Sequence, residues 1–341
     1  MGLGEATLRN HGRPPTVIDV AEACGLSTAT VSRVLNGLVA SVAPETAQRV
    51  IEAARSLGYT PSAIGRSLRQ SETRIVVLLL PDLTNDFCAD VAMSLEKALQ
   101  LGGLSMVLCN TAEKPEQQDR LLADAESLRP RGIVLLGAMD TPRLRAMAQT
   151  ARPFIFINRR PPPPIKAPYV GIDNKAAGCA VAAHLLERGH TGIAIIHGPR
   201  KYSASRSRLE GFLGRIAEHG IDPASVIQIE SALTTEAGYG HGRELLSRGQ
   251  PPRAIFCGND MIAYGIYRAA QERGVSVPGG LAIVGFDDNG INAWLAPWLT
   301  TIRVPAMDFG PAVASLLNEK NTARRKSEVI LPFELTVRSS T

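Results

Sequence analysis

Between residues 16 and 57, apolar side chains recur at helical spacing in three short bursts. Val17, Val20, Ala21 and Cys24 fall at i, i+3, i+4 and i+7, which predicts a first helix with one apolar stripe. Thr16 stands where its hydroxyl caps that helix, Asp19 completes a capping-box spacing, and Gly25 supplies a left-handed stop. Ser27 caps a second helix with Val31, Val34 and Leu35 on its inner face, closed by Gly37. Its outward positions are Thr28, Ala29, Ser32 and Arg33. Pro44 opens a third helix whose buried stripe is Val50, Ile51, Ala54 and Leu57, and Gly58 ends it. A short helix with a buried rear, a small polar front and one arginine fits the DNA major groove. The plain alternative is a helical hairpin without a ligand.

The next stretch, YTPSAIGRSLR at 59–69, has Thr60 and Pro61 as start signals. It is short and carries an interior Gly65, so it is marginal alone and reads as a hinge helix that orders with a partner. From Arg74 the period changes. Continuous apolar runs alternate with helical stretches: 75–80, 105–110, 132–137 and 154–158, then 193–198, 254–258 and 281–286. Such runs between helices predict parallel strands covered on both faces, and two series predict two doubly wound α/β lobes. The prolines at 161–164 mark a surface loop or rigid spacer.

Composition narrows the function. The 341 residues suffice for two or three domains, and a hydrophobic content of 45% is ordinary for a globular protein. Net charge is +5, but residues 1–69 hold seven Arg against five Asp plus Glu, which leaves only +2 there. Placement of arginines, rather than a basic tail, is the nucleic-acid signal. The five cysteines are widely spaced without a CxxC, which suggests free thiols and a reducing cytoplasm. Residues 1–15 lack an apolar run and read as a disordered leader rather than a signal peptide. No run approaches the ~20 apolar residues of a membrane span. Neither GxGxxG after a strand nor GxxxxGK[ST] occurs, so no nucleotide cofactor is expected. His184, His190 and His197 lack metal-site spacing, and no nucleophile–base set stands out for an enzyme.

The segments VIDVAEACGLSTATVSRVLNG, RVIEAARSLGYTPSAIGRSLR, PDLTNDF and VGIDNKAAGCAVAAHLLERGH occur in that order. AIFCGNDMIAYGIYRAAQERGVSVPGGLAIVGFDD, LTTI and LPFELTVRSST follow. Together they resemble the LacI/GalR (lactose-repressor) family of transcriptional regulators from about Thr16 onward. The resemblance implies a helix–turn–helix headpiece over 16–59 and a hinge helix and linker over 60–73. It also implies a two-lobed core over 74–341, like the periplasmic sugar-binding proteins, crossed three times by the chain. The N-lobe would hold about 74–172 and 305–331, the C-lobe about 173–304 and 332–341. Such proteins bind pseudo-palindromic operators as dimers and respond to a small molecule between the lobes. Whether the ligand releases or strengthens DNA binding stays open, release being the commoner outcome for a sugar.

On this resemblance the DNA contacts would be Ser27, Thr28, Ala29, Thr30, Ser32, Arg33 and Asn36, with Ser62 and Leu68 from the hinge. Leu68 would wedge into the minor groove. Ala29 offers only apolar contact, and Ala43 stands where relatives carry a polar cap. The ligand contacts would be Phe87, Asn158, Arg159, Tyr202, Arg208, Asn259 and Asp287, a set suited to a sugar or sugar acid. The chain departs from the family at Asp86, Cys88, Asn158 and Leu233. Asn158 replaces an acid beside Arg159, which points toward an anionic ligand. Two other readings of the residues are a small-molecule binding protein without gene regulation, which the headpiece opposes, and an α/β enzyme, which the missing catalytic set opposes.

Overall fold

The computed structural model describes residues 15–35, 42–59, 73–150, 153–318 and 328–341. The chain divides into two compact units, Met1–Thr73 and Arg74–Thr341.

In the first unit, α1 spans Val17–Cys24, α2 Thr28–Leu35 and α3 Pro44–Ser56. The capping box is formed: Asp19 N donates to Thr16 Oγ1 at 3.4 Å and Thr16 N donates to Asp19 Oδ2 at 2.6 Å. Gly25 ends α1 at φ 62°, where a side chain would be strained. Ser27 Oγ accepts from Thr30 N at 3.2 Å and starts α2. The three helices bury Val20, Ala21, Cys24, Val31, Val34, Val50 and Ala54 in one cluster. Arg49 bridges α3 to α1 by donating to the Cys24 carbonyl at 2.8 Å. Two expectations are corrected. Ile51 is 42% exposed, because Val50 and Ala54, flanked by Ala47, Ala53 and Leu57, fill the contact with α1 and α2. Ser32, expected to face outward, is only 7% exposed. It lies about 60° around α2 from Leu35, at the margin of the buried arc, where a small side chain is covered by larger neighbours. The hinge helix expected at 60–69 lies outside the described residues.

The second unit contains two six-stranded sheets. In the first, β1 (Ile75–Leu80), β2 (Ser105–Asn110), β3 (Gly132–Leu136), β4 (Phe154–Ile157), β5 (Tyr169–Ile172) and β11 (Glu328–Leu331) lie in the order β11-β5-β4-β3-β1-β2. All its pairings are parallel. In the second, β6 (Ile193–His197), β7 (Ile227–Glu230), β8 (Ala254–Cys257), β9 (Ala282–Asp287), β10 (Thr300–Arg303) and β12 (Glu334–Thr336) lie in the order β12-β10-β9-β8-β6-β7. Only the β10–β12 pairing is antiparallel. The inner strands are buried throughout, as their unbroken apolar runs require.

Helices cover the sheets in pairs. The pairs are α4 (Asp86–Leu101) with α12 (Ala306–Asn318), α7 (Asn174–Glu187) with α8 (Ser203–Glu218), and α9 (Thr235–Leu245) with α10 (Asp260–Glu272). The α7–α8 crossing is set by Gly178 and Gly211. A methyl at Gly178 would collide with the Arg208 carbonyl, and one at Gly211 with the Lys175 carbonyl.

Strands β5, β7 and β10 were not legible as apolar runs. In β10, Thr300 and Thr301 are fully buried although polar, because each hydroxyl is bonded inside the fold.

Candidate nucleic-acid interface and ligand cleft

On α2, Ser27, Thr28, Ala29 and Arg33 are exposed and Thr30 is half-buried. Arg33 lies on the side opposite Val31, so a rigid apolar rear carries one forked cation on its open face. Ser27 Oγ also lies 2.9 Å from Thr30 Oγ1, so both hydroxyls act in the cap that fixes the start of the helix. Asn36, Ser62 and Leu68 lie outside the described residues.

In the core, polar residues gather where parallel strands end, the position at which open α/β sheets bind ligands. Asn158 and Arg159 follow β4. Arg159 Nη1 donates to the Gly137 carbonyl after β3 at 2.9 Å, and Nη2 bonds Glu113 after β2 at 2.5 Å. The guanidinium stacks on the Tyr202 ring of the other lobe, 3.4 Å from its centroid. Burial raises the Tyr202 hydroxyl to about 12, Glu113 adds to the rise and Arg159 opposes it. Asn158 adopts φ 65° and reaches a cavity of about 270 Å³ between the lobes. Its walls include Arg160 and Tyr169 on one side, and Asn174, Ser203 and Ser207 on the other. Of the ligand contacts expected from sequence, only Asn158 lines this cavity; the others lie outside its walls.

On the C-lobe, Arg208 from α8 donates to the Gly258 carbonyl and, at 3.0 Å, to Asn174 Oδ1. Its guanidinium carbon lies 3.1 Å from the centroid of the Phe286 ring. Its Nε is buried without a partner. Burial lowers Arg208 to about 10 against the opposing pull of Asp287. Asp287 ends β9 at φ 108°, followed by Asp288 at φ 53°. Two successive left-handed non-glycine residues store strain of the kind that collects at binding sites. Burial pushes the Asp287 carboxyl well above its ordinary value, Arg208 opposes this and Asp260 adds to it. Asp288 is instead held by Arg303 at 2.9 Å and Arg338 at 2.8 Å.

Two expected contacts are otherwise engaged. Phe87 is 6% exposed and packs edge-on against Phe309, with centroids 5.9 Å apart, so its ring is core. Asn259 caps α10, accepting from Ile262 N at 3.0 Å and donating to the Leu233 carbonyl at 3.1 Å, so its amide serves the loop. Sequence reasoning missed Glu113, Asn174, Phe286 and Asp260. The fully buried Asp260 accepts from Thr301 Oγ1 at 2.7 Å, Asn289 N at 2.9 Å and Asn292 Nδ2 at 2.7 Å. It thereby anchors the loop that follows Asp287.

A helix–turn–helix unit in one chain with a two-lobed core, whose strand ends carry polar residues, defines a DNA-binding transcription regulator rather than an enzyme. Residues 16–62 match the lacI family of bacterial regulatory proteins, and residues 182–341 match the periplasmic binding protein-like domain. The chain is 31% identical to the HTH-type transcriptional regulator DegA of Bacillus subtilis, over 96% of this chain and 98% of DegA. A LacI family transcriptional regulator from Silicibacter pomeroyi superposes with a TM-score of 0.83 at 26% identity, covering 96% of this chain and 99% of that one. The transcriptional regulator CelR in complex with cellobiose superposes with a TM-score of 0.71 at 28% identity, over 96% and 100% of the two chains. The chain belongs to the lacI family of bacterial regulatory proteins. Among the described residues no helix is long and apolar enough to cross a membrane.

Proposed function

We propose that this regulator is a cytoplasmic repressor, held as a homodimer on a pseudo-palindromic operator, and that a small polyhydroxylated molecule between the lobes sets its operator affinity. Ser27, Thr28, Ala29, Thr30 and Arg33 contact the DNA, Ser32 supports them from the helix margin, and Asn36, Ser62 and Leu68 add phosphate and minor-groove contacts. Two headpieces match a two-fold site.

The observation that carries the ligand reading is Arg208. Its Nη groups are fixed by Gly258 and Asn174, its face rests on Phe286, and its buried Nε–H is left without an acceptor near Asp287. A ligand hydroxyl satisfies that donor while a second donates to Asp287. Asn158 and Arg159 close the cleft from the other lobe, where Arg159 meets Tyr202. CelR, whose complex contains cellobiose, supports a sugar as the ligand class. Ligand-dependent lobe closure then alters headpiece spacing, and the sugar releases the DNA.

The test is a mobility shift with genomic fragments and a sugar panel, on wild type and Arg208→Ala. A sugar that alters operator binding by wild type is expected to have no effect on the variant; equal response of both proteins places the ligand elsewhere.

A further inference from the structure

The negative charge that Asn158 fails to supply beside Arg159 comes instead from Glu113, 46 positions earlier. We propose that Glu113 is a specificity-determining residue of the cleft: by neutralising Arg159 it makes the site accept uncharged polyols and refuse sugar acids and sugar phosphates. This rests on the effector-cleft reading above and reverses the anionic preference expected from Asn158 alone.

Three observations carry it. The edge of the Arg159 guanidinium that would fork to an anion is occupied, with Nη1 on the Gly137 carbonyl and Nη2 on Glu113 Oε1. One face is occupied too, by the Tyr202 ring. Arg159 is 9% exposed, so an anion reaches it only by displacing Glu113.

The Glu113 carboxylate is placed rather than drifting. Ala112 and Glu113 follow β2 in successive left-handed conformations, φ 51° and 57°. The turn is pinned by Ala112 N donating to Asn110 Oδ1 at 3.1 Å and by Lys114 N donating to the Thr111 carbonyl at 3.0 Å. Immediately afterwards Pro115 starts α5 (Pro115–Ser127). Strain at a strand end that aims one carboxylate at one buried cation is a built feature.

Two more arginines near the cleft are also matched, Arg208 by Asp287 and Arg160 by Glu328. An anionic ligand would therefore add a further negative charge beside Glu113 and Asp287. Such a repulsive element discriminates between ligands of the same shape and different charge. A neutral sugar meets no such cost. It takes the donors and acceptors that remain.

The experiment uses inorganic phosphate as the probe and needs no knowledge of the natural ligand. Thermal melting of the full chain is compared in millimolar phosphate and in chloride at matched ionic strength, for wild type, Arg159→Gln, Glu113→Gln and the Glu113→Gln/Arg159→Gln pair. Glu113→Gln is expected to gain a phosphate-dependent rise in Tm over wild type of about 2–4 °C. The double variant is expected to lose that gain. Glu113→Asp, which shortens the acid and loosens the pair, is expected to show part of it, and serves if Glu113→Gln folds poorly. Absence of the gain, a gain that survives Arg159→Gln, or a wild-type phosphate response that Arg159→Gln abolishes overturns the proposal. Failure of the effector-cleft reading registers instead in the Arg208→Ala mobility shift and leaves these melts unchanged.

Discussion

Arg159 and Tyr202 touch across the cleft, guanidinium carbon to ring centroid at 3.4 Å, and they belong to different lobes. One residue further on, Arg160 N donates to Ser203 Oγ at 2.7 Å, so two adjacent contacts span the gap. A partly desolvated cation–π contact is worth about 0.5–2 kcal/mol. Tyr202→Ala should therefore widen the ligand-free cleft, seen as a larger radius of gyration of the isolated protein in small-angle scattering, whereas Tyr202→Phe should not. Identical scattering from wild type and the alanine variant would mean that the contact does not hold the lobes together.

Gly178→Ala should damage ligand response before it damages the fold. The new methyl meets the Arg208 carbonyl, so α7 and α8 must separate. Overpacking of this kind costs about 1–3 kcal/mol, and the separation moves the guanidinium off Asn174 and Gly258. The expected result is a lower denaturation midpoint with operator binding retained and sugar-induced release lost. Full sugar response in a correctly folded variant would show that the crossing tolerates the shift.

Asp260 should leave a signature in the pH dependence of stability. Burial raises its carboxyl to about 6, partly offset by bonds from Thr301, Asn289 and Asn292. The folded state thus holds this proton more tightly than the unfolded chain, whose aspartate titrates near its ordinary 3.8. Ionised Asp260 therefore lowers stability; the loss is absent below that ordinary value and complete above about pH 6. Asp260→Asn keeps one oxygen for Asn289 N and Asn292 Nδ2, with its amide nitrogen facing Thr301, and should abolish the fall. The difference between the two proteins in urea denaturation, followed across about pH 4 to 6, should approach about 3 kcal/mol at most. His184 and His190, lowered chiefly by burial, have the opposite sign and cancel in the comparison. A flat difference would remove Asp260 as the source.

Arg33→Ala should abolish preference for the operator over random DNA. The loss expected is about 1–3 kcal/mol per half-site if the fork contacts a guanine edge. Because Arg33 is exposed, far-UV circular dichroism should not change. Retained discrimination in competition binding would assign base reading to other residues.

Ala43→Asp should stabilise the headpiece. Ala43 precedes α3 with no side chain to meet the free backbone N–H groups. Supplying an N-cap oxygen is worth about 1 kcal/mol, and Pro44 behind it already fixes the first turn. The measurement is the urea midpoint followed by helical circular dichroism of the headpiece. A midpoint unchanged from wild type would show that another group already satisfies that helix end.

What could be read directly from the chain was local or periodic. Thr16 with Asp19, Ser27 as a cap, and the unbroken runs of β1, β3 and β6 declare themselves within a few residues, because a cap or a buried strand is specified by its immediate neighbours. Thr300 and Thr301 hid β10, since a buried hydroxyl looks polar until its distant partners, Thr341 and Asp260, are known. Ser32 and Ile51 were misplaced because a helical stripe fixes the centre of a buried arc but not its margins. Glu113 was illegible for a stronger reason: nothing near it in sequence distinguishes it from a solvated acid, and its meaning lies in Arg159. Phe87 and Asn259 were expected from the resemblance alone, and here Phe87 packs on Phe309 while Asn259 caps a helix.

The chain's passage between the sheets has a consequence for how such a protein comes into being. The first sheet needs β11 at 328–331 and the second needs β12 at 334–336, so neither lobe is a continuous stretch of chain. The headpiece's apolar cluster is drawn from residues 17–59. During synthesis, domains fold as their residues emerge, and long-range strand pairing comes late. A nascent chain therefore owns its DNA-reading helices for most of its time on the ribosome before it owns a sensor. A message cut short before residue 328 leaves the headpiece whole and both sheets incomplete.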